Sequence, residues 1–302
     1  MTVAQLDANL VADAEMERAN RRTRALERIG SGIRYAILIA VGLVMIYPLL
    51  WLVGASFKSN TEIFTNPSFI PMEPTLDGFI RGWQTSTPYN FGHFYWNTFL
   101  MVFPKVVGTA ISCTLVAYGF ARFEFPGKKL LFGCLIAVLL LPDVVTRIPQ
   151  YLVFRDLGWL DTYLPMWVPS ALAADAFFVF MLVQFLRAIP RDMEEAARID
   201  GANTFQVLIF VVVPMLAPAI ISVCLFQFMW TMNDFLGPLI YISSVAKYPI
   251  SLALQLSIDA TESFSWNKIL AMTVISLAPS LVVFFLAQKH FIRGVATGGT
   301  KG

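Results

Sequence analysis

The sequence predicts an all-α polytopic membrane protein with six transmembrane helices, and three observations predict it. Of 302 residues, 57% are hydrophobic and only 14% are charged. A soluble globular chain is about 45–50% apolar and about 25% charged. The charge is unevenly placed, because the first 34 residues hold 11 of the 42 charged side chains. Finally, the apolar residues gather in runs of about 20, the length a helix needs to cross a hydrocarbon core about 30 Å thick.

The same composition argues against other classes. So oily a chain is neither disordered nor a nucleic-acid binder built on a basic patch, and its net charge of +2 signifies nothing alone. Cys113, Cys134 and Cys224 are odd in number and each lies in an apolar stretch. They read as small core residues rather than a disulfide framework or a metal site. His93 and His290 are the only histidines, too few for a histidine-rich zinc or haem centre. The N-terminus mixes Asp and Glu with Arg, and the apolar run after it exceeds the roughly 7–15 residues of a cleavable signal core.

Six spans follow in order. Residues 35–57 are 23 residues without a charge; 94–121 is broken only by Lys105; 130–149 carries Asp143 and Arg147 near its end. Residues 163–186 carry one charge, Asp175; 204–233 is the longest run, 30 uncharged residues; 269–288 is 20 uncharged residues. The segments on either side are 1–34 and 289–302. The first loop, 58–93, holds Pro67, Pro71, Pro74 and Pro88 and reads as irregular and turn-rich rather than helical. Of the 22 Lys and Arg, 15 fall in the first segment, the loops after spans two and four, and the tail. That bias predicts both termini cytoplasmic.

The loop between spans four and five differs from the rest. Seven of the 17 residues 187–203 are charged, yet they carry helix signals. Pro190 suits a first turn. Asp192, Glu194 and Glu195 suit the positive end of a helix dipole, and Ala196 and Ala197 are the best helix formers. Gly201 suits the C′ position that ends a helix, and Asn203 with Gln206 suits a capping pair opening the next one. A short helix over about 191–200, within a cytoplasmic loop segment 190–201, is therefore expected. Helix physics alone leaves its purpose open. Glu194–Arg198 and Arg191–Glu195 are i,i+4 and fit plain surface ion pairs; the same helix fits a docking surface.

Charges inside spans are costly and face a cavity or a partner helix. Asp143, Arg147, Asp175 and Asp234 qualify, with Asn233 and Asp234 the leading candidates for a pathway lining or gate. The alternative for this pair is an outer interface in water. Asp143 and Arg147, also i,i+4, fit a mutual pair, and Lys105 fits an outward snorkel. Pro214 and Pro218 are expected to kink span five.

A resemblance decides between these readings. Glu195-Ala196-Ala197-x-x-x-Gly201, then nine residues, then Val211-x-Val213-Pro214, resembles the EAA loop of bacterial ABC importer permeases. The longer stretch Ile189-Pro190-x-x-x-Glu194-Glu195-Ala196-Ala197-x-Ile199-Asp200-Gly201-Ala202 is similar to the carbohydrate-uptake class, and within it to the smaller, maltose-type subunit. Leu160-Asp161-Thr162-Tyr163, Trp230-x-x-Asn233-Asp234-Phe235 and Phe69-Ile70-Pro71-x-x-Pro74-Thr75-Leu76 match the family in order. Met232 departs from an aromatic that is frequent there.

The resemblance implies a type I importer permease fold in the bacterial inner membrane. It also implies docking to an ATPase through Glu194, Glu195, Ala196, Ala197, Arg198, Asp200 and Gly201. Pathway candidates are then Asn233, Asp234, Trp230 and Asp175. Implied partners are a second, homologous permease, two ATPase subunits, an extracellular solute-binding protein and membrane lipid, but no nucleic acid. The chain has no G-x-x-x-x-G-K-[ST] phosphate loop, so it is expected to be no enzyme and to hold no cofactor, ATP and Mg belonging to the partner ATPase. A secondary transporter would show paired, interrupted halves. A membrane enzyme would cluster His, Cys, Ser or carboxylates at one depth. Neither pattern is present in the sequence.

Overall fold

The structure is a computed structural model that describes residues 30–85, 87–259 and 265–298. The chain divides at Pro74 into two units, and among the described residues both are helical, with no strand. Segment 1–29 and the last residues of the tail, 299–302, lie outside the described residues.

The first unit contains α1, Gly30–Ala55, 26 residues of high hydropathy, and α2, Asn60–Thr65. Ser59 caps α2 by accepting from the Glu62 amide. Lys58 is fully buried, and its ammonium donates to the carbonyls of Asn66 (2.7 Å) and Ser68. Glu62 accepts from the Met72 amide at 2.6 Å. The loop expected to be irregular is thus an ordered wrap around one lysine. A buried ammonium is tolerable because carbonyls replace its water.

The second unit starts with α3, Asp77–Trp83, a second helix in the loop expected to lack them. It lies directly on the last helix, where a Cβ on Gly78 would stand 2.6 Å from the Asn267 carbonyl. Only glycine allows that approach.

The second unit is organised around α4, Phe91–Arg122, 32 residues capped by Asn90. At 1.5 Å per residue it is about 48 Å long, more than a bilayer core requires. Its buried face is large and apolar near the start, with Phe91, Phe94, Met101 and Val102, and small and mostly polar in the stretch Thr109, Ser112, Cys113, Thr114 and Ala117. Ser112 donates to the Ser170 carbonyl at 2.7 Å. Small side chains and short hydrogen bonds bring helices together where lipid gives no hydrophobic drive.

Two helices pack on that face, α7, Leu164–Ala171, and α8, Ala176–Ala188; together they form the span Leu164–Ala188. The fifth span, Thr204–Met232, comprises α10, Thr204–Val207, a π turn Leu208–Val212, and α11, Val213–Met232. A core of Cys113, Phe178, Leu182, Leu186, Val207 and Leu216 joins α4, α8 and this span. The last helix, α14, runs Trp266–Gly298. The remaining helices are α9, Asp192–Ile199; α12, Leu236–Tyr241; and α13, Ile250–Asp259.

Among the described residues five helices are long and apolar enough to cross a membrane, and a bent pair, counted as one span, brings the number to six. That pair overlaps the expected third span, 130–149, which is two helices rather than one. There α5, Lys128–Leu139, and α6, Asp143–Asp156, meet at 107°. Pro142 is extended (ψ 130°) and lacks an amide, and a residue before proline avoids helical geometry. Leu141-Pro142 therefore ends one helix and starts another.

Candidate functional site

The loop between α8 and α10 folds as its local signals require, with one shift. Pro190 stands outside the first turn, because Arg191 is the N-cap and α9 begins at Asp192. Asp192, Glu194 and Glu195 occupy the first turn and Arg198 the last, matching the helix dipole at both ends. Gly201 has φ +88°. Its amide donates to Arg198 and that of Ala202 to Ala197, both at 3.0 Å. This is a Schellman closure, which places glycine at C′ because its left-handed φ carries no Cβ penalty there. Asn203 and Gln206 then cap α10 reciprocally, at 2.9 and 2.8 Å.

The two faces of α9 differ, and the sequence did not reveal how. Neither i,i+4 ion pair forms among the described residues. Glu194 is 3% exposed, and its Oε1 accepts from Arg122 Nε at 2.6 Å. A second Arg122 nitrogen donates to the Ile189 carbonyl at 3.1 Å. Arg191 returns a bond to the Ala121 carbonyl at 3.3 Å. Ala197 is half-buried against the core. Glu194 and Ala197, both expected on a docking surface, are therefore turned inward. A helix has 3.6 residues per turn, so adjacent glutamates point about 100° apart, and here one faces α4 while the other is exposed. Glu195, Ala196, Arg198, Asp200 and Gly201 are exposed, and Ile199 is 86% exposed. Arg122 was missed because its partner is 72 residues away; in the sequence it is simply one more basic loop residue.

Beyond α9 the chain enters α10 and reaches α11 through the π turn, where the Val213 amide donates to the Leu208 carbonyl. Pro214 follows at the start of α11 and Pro218 sits within it. A proline withholds an amide and loosens the helical ladder. The kink expected from Pro214 and Pro218 falls in a span whose helix is interrupted just before them by a π turn.

A cavity of about 550 Å³ lies among α4, α5, α6, α7, α8, α11 and α12. Lys105, Arg147, Asp175 and Asp234 all line it, together with Gln227 and Trp230. Four charges scattered over the sequence thus share one space. Asp175 opens α8 at the break after α7 and accepts from the Thr109 hydroxyl at 3.2 Å. Asp234 accepts from the Gly237 amide at 2.9 Å. Trp230 is held by Phe177 and Phe178, with ring centroids 5.3 and 5.0 Å away.

Three expectations change here. Lys105 lines the cavity instead of snorkelling outward. Arg147 faces the same space, and the Asp143 side chain lies outside the described residues. Asn233 and Asp234 separate: Asn233 donates to the Met229 carbonyl of its own helix at 2.7 Å and does not line the cavity.

At the opposite end of α4 the structure ties loops together. Asp161, in a left-handed conformation (φ 57°), accepts from the Ser243 and Ser244 amides, the Ser244 hydroxyl and the Lys247 ammonium, at 2.6 to 3.1 Å. Burial pushes its carboxyl up, but those donors outweigh it and hold the group well below the usual carboxylate range. On α4, His93 and Asn97 both donate to the Ala246 carbonyl, at 2.6 and 2.8 Å.

Comparisons with known proteins agree with this architecture. Residues 110–297 match the family described as "Binding-protein-dependent transport system inner membrane component". The chain is 29% identical to the "Probable ABC transporter permease protein YurM" of Bacillus subtilis, over 91% of this chain and 90% of that one. It is 27% identical to the "Diacetylchitobiose uptake system permease protein NgcG" of Streptomyces coelicolor, over 92% and 91%. Among solved structures it resembles a chain of a bacterial ABC transporter involved in the import of the acidic polysaccharide alginate. That match has a TM-score of 0.78 and 23% identity, covering 87% of this chain and 97% of that one. The family match, from within α4 through the loop that carries α9 to the last helix, covers more than half of the chain and makes it a member of the binding-protein-dependent inner membrane component family, a multi-pass permease subunit of an ABC importer.

Proposed function

We propose that this permease carries a sugar or sugar-like solute, and that the face of α9 bearing Glu195 and Ala196 docks a separate ATPase. The 550 Å³ cavity is then half of the translocation path, and a second, homologous permease supplies the other half. Two ATPase subunits hold ATP and Mg, and an extracellular solute-binding protein delivers the solute. Both termini are cytoplasmic on this reading, as the Lys and Arg bias suggests.

The observation that carries the proposal is the two-faced helix. One side of α9 is sealed against α4, while Glu195, Ala196 and Ile199 point away from the chain. Among the described residues Glu195 has no ion-pair partner. A carboxylate, a small side chain and an exposed aliphatic on a rigid aqueous helix suit a groove on another protein. The solute class is supported by relatives named for oligosaccharide uptake and by what the cavity offers. Trp230 and Phe177 present aromatic surface to a sugar ring, and Asp234, Gln227 and Arg147 present groups that bond hydroxyls.

The test is Glu195→Arg. Uptake of the solute held by the cognate binding protein is expected to be abolished while the protein still reaches the membrane. Normal uptake by that variant would remove the coupling role.

A further inference from the structure

We infer that Arg122 is a positioning residue that locks α4 to α9, so that a displacement of the lever reaches the cavity wall through α4 as well as through α11. The inference rests on the proposed docking role of α9.

An eight-residue helix is too short to hold itself in water, and α9 has covalent links only at its two ends. Its C-terminal link passes through Gly201, a residue with open space around it and a left-handed backbone. Chain connectivity alone would leave α9 free to swing there. Ala197 packs on the core, and three bonds fix the start of the helix, all to the last two residues of α4: Arg122 to Glu194, Arg122 to the Ile189 carbonyl, and Arg191 to the Ala121 carbonyl. The Arg122 and Glu194 side chains are each 4% exposed. So little water reaches the pair that any sliding apart strands both charges. The link is therefore stiff in a way that an exposed pair is not.

The other end of this arm is the cavity. From Arg122 back to Lys105, α4 contains no proline. Thr109, which donates to Asp175, lies about 20 Å up the helix from Arg122, and Lys105 lies about 26 Å up, at 1.5 Å per residue. Both Asp175 and Lys105 line the cavity. A continuous, tightly packed helix moves as a body, and Pro104 lies beyond this stretch, next to Lys105, so motion at Glu194 arrives at Asp175 and Lys105 without passing through the π turn of span five.

The test uses the complete transporter, this chain with its ATPase and second permease, in lipid discs. Spin labels are placed on cysteines at the exposed positions Met193 of α9 and Leu115 of α4, with Cys134 and Cys224 replaced by serine. Their separation is read without nucleotide and after trapping with MgATP and vanadate. The proposal expects one narrow separation, the same in both states. Arg122→Gln is expected to lose it, giving a broad or state-dependent separation, and the exchange Arg122→Glu with Glu194→Arg is expected to restore it. A separation that changes with nucleotide in the unaltered pair, or that stays narrow and fixed in Arg122→Gln, overturns the lock. Should Arg122→Gln fail to accumulate, the exchange variant decides: a fixed separation supports the lock and a variable one overturns it. Capture of the ATPase by Glu195→Arg is measured alongside. Undiminished capture refutes the docking reading itself, whatever the labels report.

Discussion

The two ends of α4 are tied down by opposite means. At Arg122 a single guanidinium and a single carboxylate meet at 2.6 Å, each side chain 4% exposed. At the other end Asp161 gathers two amides, a hydroxyl and an ammonium, but it is 28% exposed and Lys247 44%. His93 and Asn97 add further bonds to the same loop. The first link is sealed and holds one charge pair with two backbone bonds beside it; the second is wetted and spread over more donors. Water can replace a lost bond at the second and cannot at the first. A sealed link transmits force, whereas a redundant one holds loops in place and tolerates damage.

Substitutions sharpen that contrast. The largest effect is expected from Glu194→Ala, which leaves the Arg122 guanidinium buried without its charge. Breaking a buried pair from one side costs about 3–5 kcal/mol, read as a lowered thermal midpoint of the purified complex. An unchanged midpoint would mean that water already reaches the pair. Asp161→Asn is expected to cost only about 1 kcal/mol, because the pair is part-exposed and most of its donors persist.

The same site predicts a pH effect of definite sign. The folded Asp161 carboxyl titrates below its ordinary value of 3.8. Its contribution is therefore fully present above that value and is lost as pH falls through the depressed one. Acid unfolding of Asp161→Asn should accordingly be less steep below pH 3.8 than that of the parent chain. Equal slopes would place the acid sensitivity elsewhere.

An effect as small as that of Asp161→Asn is expected at Gly201. A Cβ there meets nothing within 4 Å, so Gly201→Ala carries only the left-handed backbone cost of about 1 kcal/mol. It should lower the midpoint slightly while the complex still captures its ATPase. A loss as large as that of Glu194→Ala would show that the bend after α9, rather than the lock, fixes the lever.

Much of α9 was legible because its signals are local. The acidic first turn, Gly201 and the Asn203–Gln206 box each act within a few residues, and each is found where the spacing puts it. The face that α9 turns outward was not legible. Glu194 and Glu195 are chemically identical neighbours, and only Arg122 distinguishes them. The break in the third span was half legible: the polar end was visible, but the angle depends on where Pro142 lets the chain turn. Lys105, Asp175 and Asp234 were each recognisable as charges in apolar runs. That they converge on one cavity follows from the packing of α4, α8 and α11.

The sequence by itself determined that this chain lives in a bilayer, how many apolar runs it has, and where the aqueous helix begins and ends. Burial of apolar length and capping of helix ends are properties of contiguous residues. Only the tertiary structure decided which glutamate is sealed and which is offered, and which charges share a cavity. Those depend on residues as far apart as Arg122 and Glu194 meeting where water is excluded, and a linear pattern does not specify such a meeting.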